Sequence, residues 1–204
     1  MKTRRRSIRT KNSSGLGRVP TRQTPRRRRY KNMRGKIDAG AVSSTSRAPL
    51  WAKLAATFFG IGLLRPGPGS WASAATVLVW WLLSSAINPY WQPAAAALLA
   101  AVAVLVGIPA ATRMARATRL KDPQFVVIDE VAGQLITLIA IPVSWKSILL
   151  GFILFRGFDI VKPPPLRQLE HLREGIGIVL DDVAAGLYAL MVMQAALHFG
   201  LLPR

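Results

Sequence analysis

The chain has 204 residues, of which 51% are hydrophobic, and its formal net charge is +19. This length allows one domain of ordinary size, but the apolar content is high for a soluble domain. The chain has no cysteine, which excludes disulfides, thiolate metal ligands and cysteine nucleophiles.

Most of the positive charge lies in residues 1–47, which contain sixteen Lys and Arg and one acid, a net of +15. This segment lacks apolar periodicity and contains scattered Gly, Ser and Pro, so we expect a disordered basic tail (1–47) before a helical domain (48–204). Anionic lipid at the inner membrane surface is its favoured partner. Nucleic-acid binding is disfavoured because only Tyr30 could stack on a base. Two other interpretations of this tail stay open, a targeting peptide and a dispensable extension.

The first apolar segment, WAKLAATFFGIGLL (51–64), is too short to span a membrane and contains Lys53. It predicts a short interfacial or re-entrant helix, with an ordinary packed helix as the alternative. Between Arg65 and Arg113, 47 residues carry no charged side chain. They contain SWASAATVLVWWLLSSAI and QPAAAALLAAVAVLVGIPAAT, each close to the roughly 20 residues that a helix needs to cross a bilayer core of about 30 Å.

Three more apolar segments follow: VVIDEVAGQLITLIAIPV, WKSILLGFILFRGFDIV and a last one from Gly177. We therefore predict an all-α, multihelical, membrane-embedded bundle of about five spanning helices plus the short interfacial helix. The two middle segments are short and could instead pack within a half-embedded bundle. The loops at 62–70, 113–125 and 161–175 together hold eight Lys and Arg, against the single Lys146 in the connections on the other side, so the positive-inside rule puts these loops on the cytoplasmic side.

Five of the nine acidic residues are predicted to meet at this cytoplasmic boundary. A helical hairpin with arms of about fourteen residues, or ~20 Å, returns Asp159 to the level of Asp129 and Glu130. Asp181 and Asp182 lie in the first turns of the last helix. Ionisable groups in apolar helices are costly, and grouped carboxylates repel one another unless a cation binds. The pattern therefore predicts a Mg²⁺ site, because Mg²⁺ prefers oxygen ligands and binds substrate phosphate. Helix-terminal charges or structural ion pairs are the alternative.

Neighbouring residues fit an anionic substrate. Arg156 and Lys162 flank Asp159 at intervals of three residues, which could place cations beside the carboxylates, although Lys162 could instead snorkel. In the loop GIGLLRPGPGSWAS, Ser70 could cap the following helix and turn its free N–H groups towards the carboxylates. Glycine there allows close approach of a phosphate, and a simple Pro/Gly turn explains the loop equally well.

Four motifs in order, GIGLLRPGPGSWAS, VIDEVAGQLITL, GFILFRGFDIVKPPPLR and GIGIVLDDVAAG, resemble the phosphatidylglycerophosphatase A family. The resemblance runs from about Leu54 to His198. It implies a divalent-metal phosphatase of the bacterial inner membrane that removes the terminal phosphate of phosphatidylglycerophosphate, a phospholipid, at the cytoplasmic face. It implies metal or catalytic roles for the five carboxylates and phosphate contacts for Lys162 and Arg167. It also marks glycine-loop residues, namely Gly60, Gly62, Pro68, Gly69 and Ser73.

The chain departs from the family pattern at two places. The family's PGTxGS reads PGSWAS at residues 68–73, and its GGxG before the last helix is shortened to GIG at 175–177. Two other classes of protein compete with the phosphatase. A small ion transporter would place its carboxylates near the bilayer midplane. In a membrane-associated binding protein, the basic tail would be the functional part and the acidic residues would have only structural roles.

Overall fold

The structure is a computed structural model that describes residues 48–164, 166–169, 172 and 174–202. The predicted disordered tail (1–47) lies outside the described residues. The described residues form α-helices and two 3₁₀ turns, Ile61–Leu63 and Pro89–Trp91, without a strand, which confirms the all-α class. The α-helices are α1 (Leu50–Ala56), α2 (Pro68–Ser85), α3 (Gln92–Thr118), α4 (Ile128–Thr137), α5 (Trp145–Val161), α6 (Leu166–Leu169) and α7 (Glu174–His198).

Helix α4 forms the centre of the bundle. Nine of its ten residues are buried, because α2, α3, α5 and α7 all pack against it. The faces that pack together are rich in small residues, such as Ala103 and Gly107 on α3. Small side chains allow helix backbones to approach closely, which positions the polar start of α4 against its neighbours.

Two stretches of the described chain, Pro89–Thr118 and Glu174–His198, are long and apolar enough to cross a membrane, judged by length and composition. Helix α4 has only ten residues, so it covers about 15 Å, half of a bilayer core. The five spanning helices therefore stay a prediction. The outer faces of α2 and α3 do present large apolar side chains, including Leu82 and Leu105.

The first apolar segment folds as a shorter helix than the sequence suggests. Helix α1 ends at Ala56 because Phe58 and Phe59 take left-handed backbone angles, with φ of 45° and 55°. One face of α1 packs on α3 through the fully buried Ala52 and Ala56. The opposite face leaves Leu50 and Trp51 exposed, as an interfacial helix would, so the membrane position of α1 stays a prediction.

Helices α4 and α7 pack closely against each other at two glycines, Gly133 and Gly186. A Cβ at Gly186 would overlap the carbonyl oxygen of Gly133 and lie 2.9 Å from its Cα. A Cβ at Gly133 would in turn lie 2.5 Å from the carbonyl oxygen of Asp182 on α7. These contacts hold the polar ends of the two helices side by side.

We expect Gly186→Ala to lower the free energy of unfolding by about 1–3 kcal/mol, because the clashing atoms are backbone and the helices must separate. The measurement is thermal unfolding in detergent. Gly157→Ala is the matched control, since a Cβ at Gly157 on α5 meets nothing within 4 Å. That control should be neutral or stabilising by up to about 1 kcal/mol, reflecting the helix propensity of Ala. An unchanged unfolding temperature for Gly186→Ala would contradict the close packing.

Candidate active site

A cavity of about 350 Å³ lies at the end of the bundle where α2, α4 and α7 begin and α5 ends. We call it the acidic cavity. All five predicted carboxylates line it, together with Arg156 and Lys162. Its lining residues are Gly67, Pro68, Gly69, Asp122, Gln124, Val126, Asp129, Glu130, Arg156, Asp159, Lys162, Ile178, Asp181 and Asp182.

Three of the carboxylates form one cluster. Asp129, Glu130 and Asp182 each place an oxygen within 4.8 Å of the others. Two members are buried, Asp129 being 8% exposed and Asp182 4% exposed, and Glu130 is partly buried. Oδ1 of Asp129 and Oε2 of Glu130 have no hydrogen-bond partner among the described residues. Buried, mutually repelling carboxylates with spare oxygens suit a divalent cation, and the geometry by itself does not select which cation.

The other two carboxylates, Asp159 and Asp181, form ion pairs with the basic side chains that line the cavity. Nη1 of Arg156 lies 2.7 Å from Oδ2 of Asp159, and Nζ of Lys162 lies 2.6 Å from Oδ2 of Asp181. The same Nη1 of Arg156 is 3.8 Å from Oε1 of Glu130, which links the pair to the cluster. Consecutive residues on a helix point about 100° apart, so Asp181 contacts Lys162 while Asp182 joins the cluster.

The glycine loop enters the cavity differently from the prediction. Helix α2 begins at Pro68, its N-cap is Gly67 with φ of 68°, and no side chain caps it. The prediction that Ser70 caps this helix is therefore wrong. Proline fits the first helical position because its φ is already helical and it has no N–H to satisfy, which starts the helix two residues before Ser70.

Gly69 lies directly against the carboxylate cluster. A Cβ at this position would overlap Oε1 of Glu130 and lie 3.1 Å from Nη1 of Arg156. The absence of a side chain at Gly69 thus allows Glu130 to take its place in the acidic cavity.

Several residues predicted to bind phosphate do not line the acidic cavity, namely Gly60, Gly62, Ser70, Ser73 and Arg167. Gly60 precedes a 3₁₀ turn with φ of 98°, and Gly62 packs on the backbone of Phe125. Arg167 donates from Nε to the carbonyl oxygen of Lys162 at 3.1 Å, which holds the end of α5. Ser73 is fully buried in α2. A role of these residues in phosphate binding stays a prediction.

The structure also brings in residues that the sequence analysis missed. Asp122 and Gln124, in the loop between α3 and α4, line the acidic cavity. Asp122 is the one acidic residue in the basic loop at 113–125, and this unusual position in the sequence could have marked it as a candidate site residue. Gln134 lies one turn beyond Glu130 on α4, fully buried, and neither amide atom has a hydrogen-bond partner in the described part of the chain.

Comparison with known proteins identifies the family. The family model described as Phosphatidylglycerophosphatase A matches residues 54–197. The chain belongs to the phosphatidylglycerophosphatase A family. The matched range contains every residue that lines the acidic cavity. Both the resemblance seen in the motifs and the prediction of a phosphatase that acts on phosphoric monoesters are confirmed.

The relatives agree on a phosphatase but differ in the lipid that their names give. Phosphatidylglycerophosphatase A of Haemophilus influenzae is 38% identical over 144 residues, which is 70% of this chain and 86% of the relative. Phosphatidylglycerophosphatase A of Escherichia coli K12 is 31% identical over 147 residues, 71% of this chain and 83% of the relative. A Bacteroides thetaiotaomicron protein named "Putative phosphatidylinositol-3-phosphatase" is 35% identical over 150 residues, 70% of this chain and 91% of the relative. No solved structure matches the chain.

Proposed function

We propose that the chain hydrolyses the terminal phosphomonoester of phosphatidylglycerophosphate, releasing inorganic phosphate and phosphatidylglycerol, with Mg²⁺ as its cofactor. The observation that carries this proposal is the convergence of Asp129, Glu130 and Asp182 in a cavity that is also lined by two basic side chains, Arg156 and Lys162. Family membership and two relatives named for this activity support the choice of substrate.

The cluster of three carboxylates would hold the metal. Its donors are hard oxygens, two of them buried without a hydrogen-bond partner among the described residues, and the chain has no cysteine, which favours Mg²⁺ over Zn²⁺. A bound divalent cation supplies Lewis-acid polarisation of the phosphoryl oxygens and lowers the pKa of a coordinated water. All five predicted acids belong to this proposal, with Asp129, Glu130 and Asp182 as the direct ligands.

The two basic side chains of the cavity, Arg156 and Lys162, would bind the substrate phosphate. Arg156 and Lys162 are held by Asp159 and Asp181, so their positive charges stay beside the cluster when the substrate enters. Fixed cations at this place would stabilise charge on the equatorial oxygens during phosphoryl transfer. Trapping of a phosphoenzyme with labelled substrate distinguishes attack by a carboxylate from attack by water.

We place the acidic cavity at the cytoplasmic face of the bacterial inner membrane. Asp129, Glu130 and Asp159 lie within two residues of a helix end, whereas a transporter would need its carboxylates at the midplane, and Lys121 and Lys162 belong to loops at this same end. The absence of native cysteine makes the test direct. A single cysteine at position 121 should react with a membrane-impermeant maleimide from the cytoplasmic side, and reaction only from the other side would reverse the topology.

The basic tail (1–47) is proposed to bind anionic lipid as a separate unit. Its net charge of +15 is the support, since each basic residue near an anionic surface contributes about 1 kcal/mol. The full chain should sediment with phosphatidylglycerol vesicles more strongly than residues 48–204 do. Equal sedimentation would remove this role for the tail.

The direct test of the proposed function is phosphate release in detergent micelles. We expect phosphatidylglycerophosphate to be hydrolysed in Mg²⁺ and not in EDTA. Phosphatidylinositol 3-phosphate, taken from the name of one relative, is the comparison substrate. Hydrolysis in EDTA would contradict the proposed metal dependence. Faster hydrolysis of the inositol lipid would contradict the proposed substrate. If neither lipid were hydrolysed, the proposed function itself would be wrong.

A further inference from the structure

A second cavity, of about 340 Å³, lies between α2, α3 and α4 and the chain that follows α1. We call it the apolar groove and define it by Phe58, Val79, Leu83, Val102, Val106 and Leu135. Among the described residues that line it, Thr76 and Trp80 are the two with a polar side-chain atom, and the Thr76 hydroxyl donates to the carbonyl oxygen of Ala72 at 2.8 Å. The groove therefore offers a ligand mainly apolar contacts.

The apolar groove continues from the acidic cavity along two shared helices. Pro68 and Gly69 of α2 line the acidic cavity, and Thr76 to Leu83 of the same helix line the groove. On α4, Asp129 and Glu130 face the cavity, whereas Val131 and Leu135 face the groove. On α2 the groove lining begins at Thr76, seven residues or about 10 Å beyond Gly69, whereas on α4 it begins at Ile128, next to Asp129.

The groove is open at the side of the bundle. Val79 is 44% exposed and Val102 is 48% exposed, so a chain could enter laterally between α2 and α3. Its volume is within the range of about 300–1,000 Å³ that small-molecule sites occupy. A polar ligand would gain nothing from such walls, whereas a hydrocarbon chain would make van der Waals contacts with the walls on both sides.

We propose that the apolar groove binds one acyl chain of the lipid whose phosphate lies in the acidic cavity. This inference rests on the proposed function, because a phosphorylated lipid joins the two chemistries in one molecule. The charged end meets Arg156, Lys162 and the carboxylate cluster, and the acyl chain follows α2 and α4 away from them. The groove thereby selects long-chain lipids over water-soluble phosphomonoesters.

Photocrosslinking tests the occupant without requiring hydrolysis. The full chain in EDTA is irradiated with phosphatidylglycerophosphate that carries a diazirine in one acyl chain, and the modified residues are mapped by mass spectrometry. We expect labels to concentrate on Val79, Leu83 and Val102, well above those from phosphatidylcholine with the same acyl chain. Equal labelling of the groove and of Leu105, or equal labelling by the two lipids, would overturn the proposal. Groove labelling in a protein that releases no phosphate would overturn only the proposed function.

Kinetics with two chain lengths give the second test. Val102→Trp places a large side chain in the groove, and Leu105→Trp is the matched control on α3 because Leu105 is 72% exposed and does not line the groove. We expect Val102→Trp to lower kcat/KM for the dipalmitoyl substrate about tenfold or more and to leave the dihexanoyl substrate unchanged. The control should resemble wild type on both. Equal losses of kcat/KM on the two substrates, or equal losses in the two variants, would overturn the proposal that the groove binds an acyl chain.

Discussion

Replacement of Asp182 by Asn is expected to lower kcat for phosphatidylglycerophosphate by at least about 1,000-fold, more than the roughly 10- to 100-fold typical of groups that only orient a metal ligand. The change keeps the shape of the side chain and removes one charge from the cluster of three carboxylates. Asp182 is 4% exposed and shares its cluster with Asp129 and Glu130, so the remaining two would bind a divalent cation more weakly. The measurement is phosphate release at saturating substrate over a range of Mg²⁺ concentrations.

Unfolding temperatures show whether Asp182→Asn acts through the metal site or through the fold. In EDTA the wild-type cluster is buried and self-repelling, so loss of one charge should leave the unfolding temperature unchanged or higher. Mg²⁺ should then stabilise the wild type, by about 2.7 kcal/mol at one hundred times its Kd, and stabilise the variant less. A variant that unfolds at a lower temperature in EDTA and gains the full Mg²⁺ stabilisation would contradict a metal-binding role.

Glu174→Gln is the matched control for charge on the same helix. Glu174 pairs with Arg116 at 2.7 Å on the surface, with side chains 43% and 69% exposed. Exposed ion pairs contribute about 0–1 kcal/mol, so this variant should keep nearly wild-type activity and the Mg²⁺ response. A loss equal to that of Asp182→Asn would mean that net charge on α7, and not the cluster, governs activity.

Helix lengths and loop charges in the sequence were enough to predict the all-α class and the meeting of five acids at one end of the bundle. Asp159 does line the same cavity as Asp129, although the first arm of the predicted hairpin is helical only to Thr137 and residues 138–144 link it to α5. Apolar runs could not fix where a helix ends. Positive φ angles at Phe58 and Phe59 end the first helical region early, and no hydrophobic pattern encodes them.

The division of the five acids into a cluster and two ion pairs could not be predicted. Depth along a helix follows from residue spacing, but rotation about the helix axis depends on which faces pack, as at Gly133 and Gly186. The same limit explains Gln134, whose burial depends on the neighbours of α4. Ser70 was misplaced for a local reason, because Pro68 starts the helix before any hydroxyl could cap it.

Gly69→Ala is expected to lower kcat/KM by at least about 100-fold while the protein stays folded. The new Cβ would overlap Oε1 of Glu130 and lie 2.8 Å from its Cδ. These atoms are the end of a flexible side chain, so Glu130 can rotate away at little cost to the fold but then leaves Asp129 and Asp182. The expected signature is a higher Mg²⁺ requirement in phosphate release, with an unfolding temperature in EDTA close to that of wild type.

Gly157→Ala separates this effect from a general sensitivity to alanine near the acidic cavity. Gly157 is adjacent to Arg156 in sequence, and a Cβ there meets nothing within 4 Å. It should therefore keep wild-type kcat/KM and Mg²⁺ dependence. If Gly69→Ala also kept wild-type kinetics, Glu130 could not be a ligand in the position that the structure gives it, since the added methyl group occupies that position. If both variants lost activity equally, the cause would lie in the helices and not in the contact between Gly69 and Glu130.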